Sequence, residues 1–218
     1  MMQFLWKTST FSLISCTMVC LFYTGIAIVA ALYALFDVNY FIRFVFMMIW
    51  GKFVPKKRKR LTEDVHSYGF STTNDVDFFI THMNNARFIR ELDFARLDYY
   101  HRTGLYDAVI SKGATVLQAA TTARYRRTMP IFTFFRVATR LVYWDEKAFY
   151  LEHKFITLSD NFIRAIFISK QQLTGIEIGT SEIINLVDPD LQVPEAPEDL
   201  KLWIKYNEAS SKKLRKSD

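Results

Sequence analysis

The run Asn74-Asp75-Val76-Asp77-Phe78-Phe79-Ile80-Thr81-His82-Met83-Asn84-Asn85 gathers carboxylates, an imidazole and two adjacent amides. Directly after it, Phe88, Leu92, Ala95 and Tyr99 recur at steps of four, three and four. That spacing predicts one buried face of a helix over Asn84–Thr103, with Gly104 as its C-terminal stop. Asn84 or Asn85 can cap its start, because a side-chain oxygen there satisfies an orphan N–H. A helix N-terminus also offers N–H groups and the positive end of the helix dipole to a carbonyl oxygen that gains negative charge. Asp77 is therefore a candidate general base on water, or a nucleophile toward a carbonyl carbon. His82, Asn84 and Asn85 are candidates to orient water or hold the carbonyl. Glu91, one helical turn beyond Arg87, is either an alternative carboxylate or half of a surface ion pair. A purely structural reading stands beside these, since Asp, His and Asn are common turn and cap residues.

Other chemistries lack their residues. The chain has no G-x-S-x-G elbow, phosphate loop, dinucleotide fingerprint or H-E-x-x-H motif. His66, His82, His101 and His153 pair neither with one another nor with a cysteine at metal-ligand spacing. Two cysteines in 218 residues build no disulfide framework. No metal and no cofactor are expected.

The elements that would position the cluster follow from periodicity and turn chemistry. A short strand over His66–Thr72 leads into the Asn74–Asp77 turn. Four runs of strand character come after the helix: Ala114–Arg126, Thr133–Trp144, Phe149–Leu158 and Phe162–Lys170. Asp145-Glu146-Lys147 and Ser159-Asp160-Asn161 read as tight turns, which predicts an antiparallel meander. Short helices are expected at Ser181–Val187 and, after a Pro-containing linker, at Glu198–Leu214. One strand, a long helix and an antiparallel sheet make an α+β domain in which the sheet wraps the helix.

Charge and apolarity are segregated along the chain. The formal net charge is +6, yet residues 61–218 hold 20 basic and 21 acidic residues. The excess lies in Lys52, Lys56, Lys57, Arg58, Lys59 and Arg60, with a smaller cluster at Lys212, Lys213, Arg215 and Lys216. A near-neutral body argues against nucleic acid as a partner. Phe11–Phe36 is almost continuously apolar; as a helix it would reach about 39 Å, enough to cross a hydrocarbon core of about 30 Å with tilt. A cleaved signal peptide is the alternative, which would make the domain a secreted one, but its apolar region runs only about 7–15 residues. Residues 40–50 read as an interfacial segment with Tyr40 and Trp50 at headgroup level. The basic run then reads as a stop-transfer signal on anionic lipid, with nuclear import as the weaker reading. The expected organisation is an anchor over 1–51 (span about 11–36), a basic juxtamembrane run over 52–60, a domain over 61–175 and a helical extension over 176–218.

Asp75-x-Asp77 followed by His82-x-Asn84-Asn85, then aromatic Phe88, resembles the motif of hotdog-fold thioesterases acting on acyl-CoA and acyl-carrier protein. His82–Arg96, Trp144-Asp145 with Ala148–Glu152, and Tyr206–Ser211 extend the resemblance over about 61–214. It implies a hotdog fold, a long central helix wrapped by an antiparallel sheet, that dimerises with its active site near the helix start. It further implies Asp77 as the catalytic carboxylate, assisted by His82 and Asn84, with Asn85, Phe88 and Glu91 against the acyl thioester. Phe79 stands where the family often has Asn, the Asp77-to-His82 spacing is one residue longer, and Phe88 replaces the commoner Tyr. The implied function is hydrolysis of fatty acyl thioesters at a membrane, the endoplasmic reticulum being favoured; the alternative is a non-catalytic acyl-binding or scaffold protein.

Six cations after the span against one before it place the domain in the cytosol by the positive-inside rule. Protease protection on microsomes is expected to leave residue 218 digestible from outside; luminal protection would overturn the orientation.

Overall fold

The structure, a computed structural model, describes residues 2–53, 57–175 and 178–215. Pro55, Lys56 and Lys216 of the two basic clusters lie outside the described residues, as do the side chains of Cys16, Trp50 and Lys52. The chain divides into two compact units, Met1–Phe53 and Val54–Asp218. The first holds α1 (Met2–Leu35) and α2 (Val38–Phe53). Thr17–Leu35 is long and apolar enough to cross a membrane. Asp37 stops α1 and restarts the chain, its Oδ1 accepting the Tyr40 N–H at 3.1 Å.

The second unit is the α+β domain. It runs β1 (Val65–Phe70), α3 (Asn85–Thr103), α4 (Leu105–Ser111), β2 (Thr115–Tyr125), β3 (Phe134–Trp144), β4 (Ala148–Thr157), β5 (Ile163–Thr174), α5 (Thr180–Val187) and α6 (Glu198–Arg215). All five strands form one antiparallel sheet in the order β1-β3-β4-β5-β2. The tight turns at 145–147 and 159–161 do join sheet neighbours. The first of the four predicted strands departs from the expected meander: β2 pairs with β5 at the far edge and not with β3. Its link to β3, residues 126–133, is a long irregular segment, so nothing compels adjacency. The helix α4 has no strong periodic signal and was not expected; Gly104 separates it from α3.

Gly104 sits at φ +79° as the C-cap of α3, a conformation that suits glycine. A Cβ there would also collide with the Arg58 guanidinium. Arg58 Nε donates to the Thr103 carbonyl at 3.2 Å and Lys59 N–H to that of Arg102 at 2.9 Å. Leu61 follows, fully buried, and its carbonyl accepts both Tyr99 Oη at 2.7 Å and the Leu141 N–H at 2.9 Å.

Leu92 and Ala95 of α3 meet Phe135, Val137, Phe155 and Phe167 of the sheet in the core, while Tyr99 joins Leu141 and Leu151 in a second cluster. Each buried Leu, Val or Phe side chain among these stabilises the fold by about 1.5–3 kcal/mol. The opposite face of the sheet is covered by α6: Leu200 packs with Ala148 and Tyr150, and the Trp203 ring lies 6.3 Å from that of Tyr150. Tyr150 Oη donates to Asp145 Oδ2 at 2.7 Å.

One polar row interrupts the core. His153 of β4, fully buried, lies between Thr139 Oγ1 at 2.9 Å and Ser169 Oγ at 2.9 Å, linking three strands. Burial first, and the Arg96 charge second, lower its pKa from 6.5 to about 3. The ring is neutral in the folded protein, whereas the unfolded chain takes up a proton as pH falls below about 6.5. Stability is therefore expected to decline by up to about 1.4 kcal/mol per pH unit from this group between pH 6.5 and 3. Urea denaturation across that range should show the slope in the wild type and a shallower one in His153→Gln; equal slopes would show that the ring is not held neutral.

Candidate functional site

The segment between β1 and α3 is built from three short devices. Thr72 caps a single 3-10 turn, Thr73–Asp75, and Asp75 Oδ2 accepts the Thr72 N–H at 2.8 Å and its hydroxyl at 2.9 Å. Asp75 is thus a structural carboxylate. A small hairpin follows: Val76 pairs with Met83, the Asp77 N–H donates to the His82 carbonyl at 2.9 Å, and the Ile80 N–H donates to that of Asp77 at 3.1 Å. Ile80 at its tip has φ +56°, a costly region for a β-branched residue. Phe78, Phe79 and Ile80 are 91, 76 and 64% exposed, three successive apolar side chains on one turn.

Asp77 sits at the base of this turn with its side chain 14% exposed. Its Oδ1 accepts the N–H groups of Thr81 at 3.1 Å and His82 at 3.4 Å. Burial pushes its pKa up, but the N–H groups of Thr81, His82 and Phe79 together with the His82 ring outweigh it. The carboxyl is held below its ordinary 3.8. Oδ2 stands 3.7 Å from His82 Nδ1, beyond hydrogen-bond reach. His82 Nδ1 instead lies 2.7 Å from Thr81 Oγ1, with donor and acceptor set by the tautomer. Asp77 and His82 are therefore brought together, side by side.

Asn84 is the N-cap of α3. Its Oδ1 accepts the Ala86 N–H at 2.9 Å, and its carbonyl accepts that of Arg87 at 2.9 Å. The capping half of the sequence reading is met by Asn84; of the first-turn N–H groups, that of Asn85 is left without a partner among the described residues. Asn85 is exposed, and its carbonyl accepts Tyr125 Oη at 3.0 Å. Phe88 is 2% exposed and lies in the core, 4.9 Å from the Phe155 ring and 5.5 Å from that of Tyr125. Glu91 is 8% exposed, which removes the surface position expected for it. Sequence reasoning missed Thr81, whose hydroxyl touches the imidazole, and Tyr125 on β2. It also missed 129–130, where the Met129 carbonyl accepts the Met83 N–H at 2.8 Å and Pro130 bridges His82. Thr81 lay inside the motif and was legible as a hydroxyl beside His82; Tyr125 and Met129 arrive from some 40 residues away, with no local signal. Among the described residues no group of three or more His, Cys, Asp or Glu could hold a metal ion.

Residues 71–204 match the family model of the thioesterase-like superfamily. The chain belongs to that superfamily. It is 48% identical over 191 residues to Protein THEM6 of Drosophila melanogaster, covering 88% of this chain and 97% of that protein. Its identity to Protein THEM6 of Xenopus laevis is 38% over 192 residues, covering 88 and 91%. Among solved structures, the 4-hydroxybenzoyl-CoA thioesterase of Pseudomonas sp. strain CBS-3 aligns with TM-score 0.48 at 16% identity, over 56% of this chain and 98% of that one. The fold is the hotdog: the five-stranded sheet and α3 are its sheet and central helix.

The cap and the candidate catalytic role of Asn84 separate by substitution. Asn84→Ala is expected to cost about 1 kcal/mol of stability, read by urea denaturation, while Asn84→Asp keeps an accepting oxygen and most of that stability. A loss well below this would show that the cap contributes little.

Proposed function

We propose that the domain hydrolyses fatty acyl thioesters, acyl-CoA foremost, with Asp77 as the catalytic carboxylate and no cofactor. The observation that carries this is the mostly buried Asp77 beside His82, one short turn from the start of α3. In this mechanism Asp77 Oδ2 takes a proton from water as the water oxygen bonds to the thioester carbon. The carbonyl oxygen gains a full negative charge, which the Asn85 N–H and the α3 dipole stabilise. Collapse breaks the C–S bond, and the thiolate recovers the proton from Asp77. His82 and the Thr81 hydroxyl hold the attacking water, and Phe78, Phe79 and Ile80 offer apolar surface to the acyl chain at about 0.8 kcal/mol per buried methylene.

The protein works, on this reading, as a homodimer at the endoplasmic reticulum membrane, with Thr17–Leu35 as its anchor and the domain in the cytosol. The 11-residue β2 supports the dimer, because it is a sheet edge with mostly exposed side chains. A second reading, an acyl-binding protein without turnover, is favoured by the commitment of Asp77 Oδ1 and Asn84 Oδ1 to backbone N–H groups of the turn and cap.

Asp77→Asn decides between the two, since it keeps the oxygen that accepts the turn's hydrogen bonds while removing the base. With purified protein and acyl-CoAs of increasing chain length, hydrolysis is expected to fall on the order of a hundredfold to ten-thousandfold. The wild-type rate should not lose Asp77 ionisation above pH 5, because activity that needs the carboxylate fades only as pH falls through a pKa below 3.8. Equal rates in both proteins would remove Asp77 from the mechanism, and binding without turnover in the wild type would establish the second reading.

A further inference from the structure

At the end of the sheet nearest the start of α3, three guanidinium groups surround one ring. The guanidinium carbons of Arg127, Arg126 and Arg164 lie 4.3, 4.9 and 5.3 Å from the centre of Phe162. Asn161, the preceding residue, stands at φ +51° and accepts from a fourth guanidinium, Arg136 Nη2, at 3.2 Å. These cations come from β3, β5 and the segment after β2, so the sheet topology itself brings them together. One carboxylate answers them: Asp160, which is bonded to Arg164 and to the Thr157 hydroxyl.

The remaining donors are unevenly used. Arg164 is fixed by Asp160, Thr157 Oγ1 and the Thr128 carbonyl. Arg126 spends one donor on the Ile163 carbonyl at 3.3 Å. Arg127 is exposed, and its guanidinium makes no hydrogen bond among the described residues. Both Arg126 and Arg127 have their backbone N–H groups on the Arg164 carbonyl, at 2.8 and 3.3 Å, which sets the two side chains at the same point of the sheet. Cation–π contact with Phe162 holds the guanidinium groups near the ring. Positive charge is thus concentrated, with Asp160 neutralising Arg164 but no ion pair on Arg126 or Arg127 among the described residues, at a cost in mutual repulsion that an external anion would relieve.

We propose that this patch, with Arg126 and Arg127 as its donors, is a binding site for a phosphate group. The planar fork of a guanidinium matches two phosphate oxygens at once, and two forks gathered at one ring, 4.9 and 4.3 Å from the centre of Phe162, suit a phosphate dianion or diphosphate better than a single carboxylate. Tyr125, the residue before Arg126, bonds the Asn85 carbonyl, so the patch begins at the same helix start as Asp77. Two sources carry this chemistry: the phosphates of coenzyme A, or the headgroup of an anionic phospholipid. The site stands whether or not the domain hydrolyses anything.

The test uses the full chain in neutral detergent and measures binding by calorimetry. The probes are coenzyme A, pantetheine (the same arm without phosphates) and water-soluble dihexanoyl phosphatidic acid. Wild type is expected to bind coenzyme A or the phosphatidic acid, with affinity that falls as salt rises. The affinity should weaken on the order of tenfold for each guanidinium removed in Arg127→Glu and in Arg126→Gln with Arg127→Gln. Pantetheine should not distinguish the proteins. A response with coenzyme A assigns the site to the thioester's carrier, and a response with phosphatidic acid alone assigns it to lipid. Because the Arg127 guanidinium makes no hydrogen bond among the described residues and its backbone N–H bond to Arg164 survives substitution, Arg127→Glu keeps its fold, which circular dichroism checks. The proposal is overturned if neither phosphate probe responds to the substitutions, or if pantetheine loses affinity as much as coenzyme A.

Discussion

The chain enters α3 through two backbone hydrogen bonds made by successive residues to different partners. The Met83 N–H goes to Met129, the Asn84 N–H to Asp75. Successive residues of an extended chain face opposite ways, so the chain at this point is clamped on both sides at once. Every candidate group takes its place from that clamp. Asp77 and His82 face each other because the hairpin between Val76 and Met83 is closed, and the helix begins at Asn85 because Asn84 is held extended there. The same clamp fixes where the α3 dipole begins.

Packing reinforces the same end. Phe88 was a plausible ligand contact by its position in the motif, but it is an inward residue on the first turn of α3. There it meets Tyr125, Phe155 and Phe167, three aromatic rings from three strands. Its value is to press the start of the helix onto the sheet. A hydroxyl in its place would have to find a partner inside an aromatic cluster, so phenylalanine suits the position. The other end of α3 is tied by polar means, with Leu61, Arg58 and Lys59 bonded to its last turns.

Much of this was legible because it rests on local chemistry. The 3.6-residue period of Phe88, Leu92, Ala95 and Tyr99, the cap at Asn84 and the stop at Gly104 all lie within a few residues of the feature they specify. So do the tight turns at 145–147 and 159–161. What could not be read depends on long-range pairing. Nothing within Ala114–Arg126 says that it pairs with β5, because alternation marks a strand and leaves its neighbour open. The period that marks Leu92 as inward says nothing of Glu91 beside it on the helix, which is buried as well. The arginine patch is only half visible along the chain: Arg126 and Arg127 are adjacent, but Arg136 and Arg164 are isolated cations until the sheet order brings them to the same place. The imidazole–carboxylate pair was legible as composition, while its 3.7 Å separation depends on the Thr81 contact.

The strap from Arg58 to Leu61 has a mechanical consequence. A pull on the chain at residue 57 is met first by Arg58 and Lys59 on the last turn of α3, and next by the Leu61 carbonyl with its two donors. Load is therefore delivered to the central helix and β3 in parallel, and several hydrogen bonds must rupture together before it reaches β1. Load borne by the strap in this way leaves the hairpin of Asp77 undisturbed at the far end of the helix.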